Sequence, residues 1–127
     1  MRVVLMTAPD AGTAERVARA LVDERLIACA NVLPGVTSIY RWQGEVHTDA
    51  ECLVVMKTRE ALVPRLIERA AALHPYDVPE LLALPVAEGL PAYCRWVMDE
   101  TAESDGDGWM TVHDPSSTAR PRETPDV

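Results

Sequence analysis

The chain has 127 residues, 48% of them hydrophobic, enough for one aliphatic core and too few for a second domain. Phe is absent and aromatics make up 5%, so each Tyr and Trp marks a place to locate. The net charge is −8, and the basic residues (all Arg except Lys57) are scattered without a stripe, which argues against the positive surface that a nucleic-acid backbone requires.

Val3 to Met6 reads as a short buried strand that stops at Thr7-Ala8-Pro9-Asp10 and is too short for a signal peptide. Asp10 to Thr13 offers turn and cap residues. From Ala14 to Leu26 the spacing of Ala14, Val17, Ala18, Leu21 and Val22 predicts an amphipathic helix. Ile27 to Val32 follows as a second apolar strand, broken at Pro34-Gly35. Val36 to Trp42 continues extended, and Gln43-Gly44 predicts a tight hairpin with Gly44 supplying positive φ. The return strand runs from about Glu45 to Lys57. Val46, Thr48, Ala50, Cys52, Val54 and Met56 share one face of it, and Glu45, His47, Asp49 and Glu51 make the other face polar near the turn.

A second helix carries Leu62, Leu66, Ile67, Ala70 and Leu73 on its inner stripe, with Pro64 in its first turn or marking a later start. It ends before His74-Pro75, because a residue preceding Pro disfavours helical geometry. Tyr76 to Pro79 is a constrained turn, and Glu80 to Val86 reads as a fourth strand region whose Pro85 indicates an edge or a strand end. Pro91 starts a third helix with Tyr93, Trp96 and Val97 as its apolar positions. No stretch approaches the roughly 18–20 apolar residues of a membrane span. Residues 103–127 shift to Ser, Asp, Gly, Thr, Pro and Arg and read as a disordered tail, with Trp109-Met110 its only apolar pair; an incidental tail is preferred to a docking element.

The order β-α-β-β-α-β plus a terminal helix predicts an α+β, ferredoxin-like (split β-α-β) sandwich over residues 1–102. Right-handed crossovers place both helices on one face of the sheet and leave the other open. The return strand would span roughly 40 Å at about 3.3 Å per residue. A domain of this size, with a radius of gyration near ~13 Å, is only about 30–35 Å across. The hairpin therefore overhangs its own domain unless it is bent and bulged back onto its sheet. Its apolar face, grouped as Tyr40, Trp42, Val46 and Ala50, its unpaired edge and the open sheet face all call for a partner, so a homo-oligomer is expected. Cys29, Cys52 and Cys94 are odd in number and widely spaced; with no export signal they are expected to be reduced thiols in a cytoplasmic protein.

Several strings resemble the CutA divalent-cation tolerance family: Thr7-Ala8-Pro9-Asp10, Leu26 to Val36 (LIACANVLPGV), Ser38 to Gly44 (SIYRWQG), Lys57-Thr58, His74 to Glu80 (HPYDVPE), then Leu84-Pro85-Val86 and Gly89. The resemblance covers residues 1 to about 101 and implies a ferredoxin-like subunit in a compact homotrimer. It further implies tolerance of divalent metals, copper especially, with metal binding attributed to Cys and His side chains. Fold and trimer resemble the PII signalling proteins, which bind small anionic effectors between subunits. No established reaction comes with the family.

Cys29 matches the Cys of the family's A-C-x-N string, and a thiolate suits Cu(I) or Zn. His74, held between a helix end and prolines, is the second candidate metal ligand. Against these stand a buried strand cysteine and a histidine bonding the helix's last carbonyls. Met6 and Cys52 read as core, His47 as solvated or an interface contact, and Cys94 has no assigned role. Tyr40, Trp42, Lys57, Tyr76 and Glu80 form a second constellation, a candidate cleft with aromatic walls and one ammonium for an anion, or simply aromatics packed on a neighbour. There is no phosphate loop, no nucleophile elbow and no zinc-deaminase signature, so no catalytic residue and no organic cofactor are expected. The reading is a homotrimer that binds metal ions such as copper. Its alternative is a PII-like signalling trimer with a small effector or partner protein, and neither nucleic acid nor membrane is a partner.

Overall fold

A computed structural model describes residues 1–101. The elements are β1 (Arg2–Ala8), α1 (Ala11–Asp23), β2 (Cys29–Trp42), β3 (Glu45–Thr58), a 3₁₀ turn (Glu60–Leu62), α2 (Val63–Leu73), β4 (Leu81–Pro85) and α3 (Pro91–Glu100). The four strands form one sheet in the order β2-β3-β1-β4, and every neighbouring pair is antiparallel. This is the expected α+β split β-α-β arrangement with a long hairpin and a C-terminal helix. The expectation for residues 103–127 lies outside the described residues.

Strand alternation and helix periodicity meet in a single core. Val4, Met6 and Ala8 of β1 lie beside Met56, Val54 and Cys52 of β3, all on one sheet face. Ala14, Val17, Ala18 and Leu21 of α1 and Leu62, Leu66 and Ala70 around α2 cover that face, so both helices lie on the same side. Among the described residues no Tyr or Trp belongs to this core, which is aliphatic apart from Met6, Met56 and Cys52.

The ends of α1 are set by local chemistry and differ from the periodicity by about one turn. Asp10 is the N-cap: its backbone is extended and its carboxylate accepts the Thr13 N–H at 2.7 Å, so the helix starts at Ala11 and not Ala14. At the other end the Leu26 N–H donates to the Leu21 carbonyl and the Arg25 N–H to that of Val22, a Schellman closure that stops the helix at Asp23. Arg25 therefore takes the left-handed φ of 61° that glycine usually supplies.

Pro34-Gly35 does not break β2. The register gains one residue between Leu33 and Val36, a bulge in which Gly35 has φ 78°, and the strand runs on to Trp42. Gln43 and Gly44 both have positive φ, the two-residue turn whose twist suits a hairpin, and Trp42 faces Glu45 directly. β1 ends opposite Cys52, so Glu45 to Glu51 and their β2 partners project about 23 Å beyond it at ~3.3 Å per residue.

The open face carries Val3, Leu5 and Thr7 beside Lys57, Val55 and Leu53, with Leu82 and Leu84 of β4 exposed. α3 reaches one corner of this face, where the Tyr93 hydroxyl meets the Cys29 thiol at 3.4 Å. Its C-terminus is held by two arginines. Arg25 donates to the Asp99 carbonyl at 2.9 Å, and Arg59 donates to the Met98 carbonyl and to the Thr101 hydroxyl, the latter at 3.0 Å. Cations at the carbonyl end complement the helix dipole.

The cap can be tested by acid. Thr13, through its backbone N–H first, holds the Asp10 carboxyl below its ordinary range. A lowered folded-state value means the ionised cap stabilises fully above the unfolded aspartate value near ~3.9 and loses that stabilisation as pH falls through the folded value. Asp10→Asn keeps a capping oxygen that cannot ionise. The wild-type advantage in thermal midpoint over Asp10→Asn is expected to be constant near neutrality and to shrink in strong acid.

Candidate functional site

β3 decides which side chains can meet. Tyr40 is paired with His47 and Trp42 with Glu45, so both aromatics lie on the face that carries Asp49 and Glu51. Val46, Thr48 and Ala50 share the other face with Arg41, Ile39 and Thr37. The expected apolar grouping of Tyr40 and Trp42 with Val46 and Ala50 is therefore corrected: a two-residue turn fixes the pairing and separates them. Both faces of the projecting hairpin expose apolar side chains, with Trp42 51%, Val46 61% and Ile39 70% exposed.

His74 positions the segment opposite. The ring is 7% exposed, its Nε2 lies 2.8 Å from the Thr7 carbonyl and its Nδ1 accepts the Tyr76 N–H at 3.1 Å. Because Nδ1 accepts, the ring proton sits on Nε2 and is donated to Thr7. Tyr76 tilts against that ring at 4.8 Å and reaches the sheet, where its hydroxyl donates to Glu51 at 2.8 Å. Across from it the Tyr40 hydroxyl donates to Asp49, and the Tyr40 ring stacks on His47 at 5.4 Å.

Between these elements lies an open cleft of about 480 Å³. Tyr40, Trp42, Asp49 and Glu51 line it from the hairpin, Thr7 from the end of β1, and Tyr76, Asp77, Val78 and Glu80 from the loop before β4. Four of the five residues expected to form a cleft, Tyr40, Trp42, Tyr76 and Glu80, are thus brought together. Lys57 is not. It lies six residues along β3 from Glu51, roughly 20 Å at 3.3 Å per residue, and donates to the Asn31 side chain. Asp49, Glu51 and Asp77, absent from the expected set, join Glu80, so among the described residues the lining holds four carboxylates and no basic side chain. The alternation of β3 was the signal that could have found the first two.

Partial burial, followed by the Glu51 hydrogen bond and charge, pushes the Tyr76 hydroxyl up to about 12. The Asp49 hydrogen bond is the largest of the causes that raise Tyr40 as well. Both phenols stay protonated and act as donors at neutral pH.

The two candidate metal ligands do not meet. Cys29 lies opposite Lys57, while His74 packs at Thr7, whose β3 partner is Leu53, about 13 Å away along the strand at ~3.3 Å per residue. Both His74 ring nitrogens are engaged by backbone groups, which leaves no lone pair for a metal while those bonds persist. Among the described residues no group of three His, Cys, Asp or Glu side chains is placed to hold a metal ion. Cys29 and His74 of one chain therefore do not fit a shared copper site.

Residues 2–100 match the family model described as CutA1 divalent ion tolerance protein. The chain belongs to the CutA1 family. It is similar to the divalent-cation tolerance protein CutA of Thermus thermophilus, 54% identical over 99 residues, which is 78% of this chain and 96% of the relative. The chloroplastic CutA 1 of Oryza sativa is 45% identical over 102 residues, and there the match spans only 58% of the longer relative. Among solved CutA1 structures, that from Thermus thermophilus superposes with a TM-score of 0.78 at 53% identity, covering 80% of this chain and all of the other. The Oryza sativa structure gives 0.79 at 45%, covering 81% and 94%. These likenesses establish the CutA1 fold, long hairpin included.

The cleft wall has a spectroscopic signature. The difference in phenolate absorbance between wild type and Tyr76→Phe is expected to titrate near pH 12, well above an ordinary tyrosine at about 10. Glu51→Gln should lower that value without restoring it to about 10, because burial, the larger cause, remains. Titration of Tyr76 near 10 in the wild type would contradict the placement of its ring.

Proposed function

We propose that the chain acts as a cytoplasmic homotrimer in divalent-cation tolerance, taking copper as its ion and working by binding, not by catalysis. The match of residues 2–100 to the divalent ion tolerance family carries the metal part of this reading. Assembly is supported by the projecting hairpin, whose Ile39 and Val46 are exposed on the face away from the cleft, and by Leu82 and Leu84 on the open sheet face. A two-stranded ribbon of that length is marginal in water by itself. The half-buried Cys29 thiol is the soft ligand suited to copper, and with His74 closed its further ligands come from outside this chain's own His74 pocket. A signalling trimer that takes a small anion has less support, since the cleft lining is acidic and Lys57 stands far from it.

Light scattering on the full chain is expected to give three times the 14.0 kDa chain mass. A mass of one chain would overturn the assembly. In an anaerobic copper titration, Cys29→Ser should weaken binding by about tenfold or more, since it removes the soft donor. His74→Ala should leave the copper stoichiometry unchanged while lowering the thermal midpoint, because the ring ties Thr7 to Tyr76. Copper binding that is insensitive to Cys29→Ser would remove Cys29 from the site.

A further inference from the structure

We propose that the cleft between the hairpin and the loop before β4 binds a small organic ammonium compound. The inference is independent of copper at Cys29, which lies at the far end of the sheet. Three aromatic rings, Tyr40, Trp42 and Tyr76, form its walls, and the volume of about 480 Å³ lies within the usual range for small-molecule sites. The electron-rich faces of Trp and Tyr attract cations, most strongly those with a diffuse, methyl-bearing charge. Both cleft phenols are already committed, Tyr40 to Asp49 and Tyr76 to Glu51, which fixes the rings as walls and leaves the cleft few donors for an anion.

The carboxylates then decide the sign of the ligand. Asp77 and Glu80 have no hydrogen-bond or ion-pair partner among the described residues, and no Lys, Arg or His side chain lines the cleft. An uncompensated negative cleft with apolar walls concentrates cations and repels anions. A bare divalent ion needs several oxygens converging within about 2.0–2.6 Å, and the carboxylates here do not converge on such a point. A cation whose charge is spread over a methylated nitrogen needs no convergence, only aromatic contact and nearby negative charge. The lining meets those two requirements.

The test uses the assembled full chain and three probes. Choline is titrated by calorimetry beside its uncharged isostere, in which a tert-butyl group replaces the trimethylammonium, and beside Mg²⁺ at equal ionic strength. Choline is expected to bind about tenfold or more tightly than the isostere, with Mg²⁺ failing to displace it. Trp42→Leu and Glu80→Gln should each weaken choline by about fivefold, with circular dichroism and assembled mass confirming that the variants fold. Equal binding of choline and the isostere would reduce the site to an apolar hollow. Displacement by Mg²⁺ would reduce it to a general acidic patch. No binding of choline by the assembled protein would mean that the cleft is closed or filled, as by an arginine of a second copy, and would overturn the proposal.

Discussion

The last pair that β1 makes with β3 is Ala8 with Cys52; from there to the turn β3 has β2 as its only sheet neighbour among the described residues. Up to that point every second residue of β3 is sealed beneath α1 and α2. Past it, no helix among the described residues covers the strand, and the same alternation delivers Asp49 and Glu51 to the side where the open face begins. The hairpin is consequently a two-sided ribbon on a one-sided sandwich. Its register is pinned at both ends: the two-residue turn sets Trp42 opposite Glu45, and the bulge at Pro34-Gly35 absorbs one residue before β2 joins the core-facing alternation of Ala30 and Val32. A one-residue slip would move Tyr40 and Trp42 to the side of Val46 and dismantle the cleft without disturbing the core.

His74 supplies the other half of that geometry. A buried imidazole is costly unless both nitrogens are satisfied, and here one donates to β1 while the other accepts from the loop before β4. The ring thereby works as a strut between two segments 67 residues apart, and Tyr76 packs against it on its way to Glu51. An arginine pair does a comparable job for α3. Arg25 accepts the left-handed backbone that closes α1, a conformation that costs an ordinary residue about 1–2 kcal/mol relative to a right-handed one. Its side chain in return reaches the Asp99 carbonyl. Glycine would relieve the backbone and lose that tie.

Much of the fold was legible because local pattern and tertiary outcome agree. The faces of α1 and α2, the Gln43-Gly44 turn and the edge position of Pro85 all follow from spacing and turn chemistry that the structure repeats. The hairpin faces were legible in principle as well, since a two-residue turn places Tyr40 opposite His47, yet hydrophobicity alone suggested grouping Tyr40 with Val46. Cross-strand parity outranks composition there. The same ruler separates Lys57 from Glu51, six residues along one strand. What could not be read was non-local: nothing near His74 announces that Thr7 will accept its proton, and nothing near Arg25 announces Asp99. The structure brings Tyr40 and Trp42 of the hairpin to Tyr76 and Glu80 of the loop before β4, and it keeps apart the residues that only chemical suitability had joined, Lys57 from the cleft and Cys29 from His74.

The thiol proposed for copper and the cleft proposed for an organic cation occupy separate parts of this architecture. Cys29 sits at the start of β2, beside α3 and opposite Lys57, in a corner with a soft donor and a cation. The cleft sits beyond the end of β1, with carboxylates and aromatic faces and no thiol. A thiol is a soft donor, whereas carboxylates beside aromatic faces suit a diffuse organic cation. The two regions lie on one sheet but share no side chain, so a substitution in either leaves the other's donors in place. Any communication between them has to run through β3 itself, a strand whose register is fixed by its turn and its neighbours, or through contacts between copies.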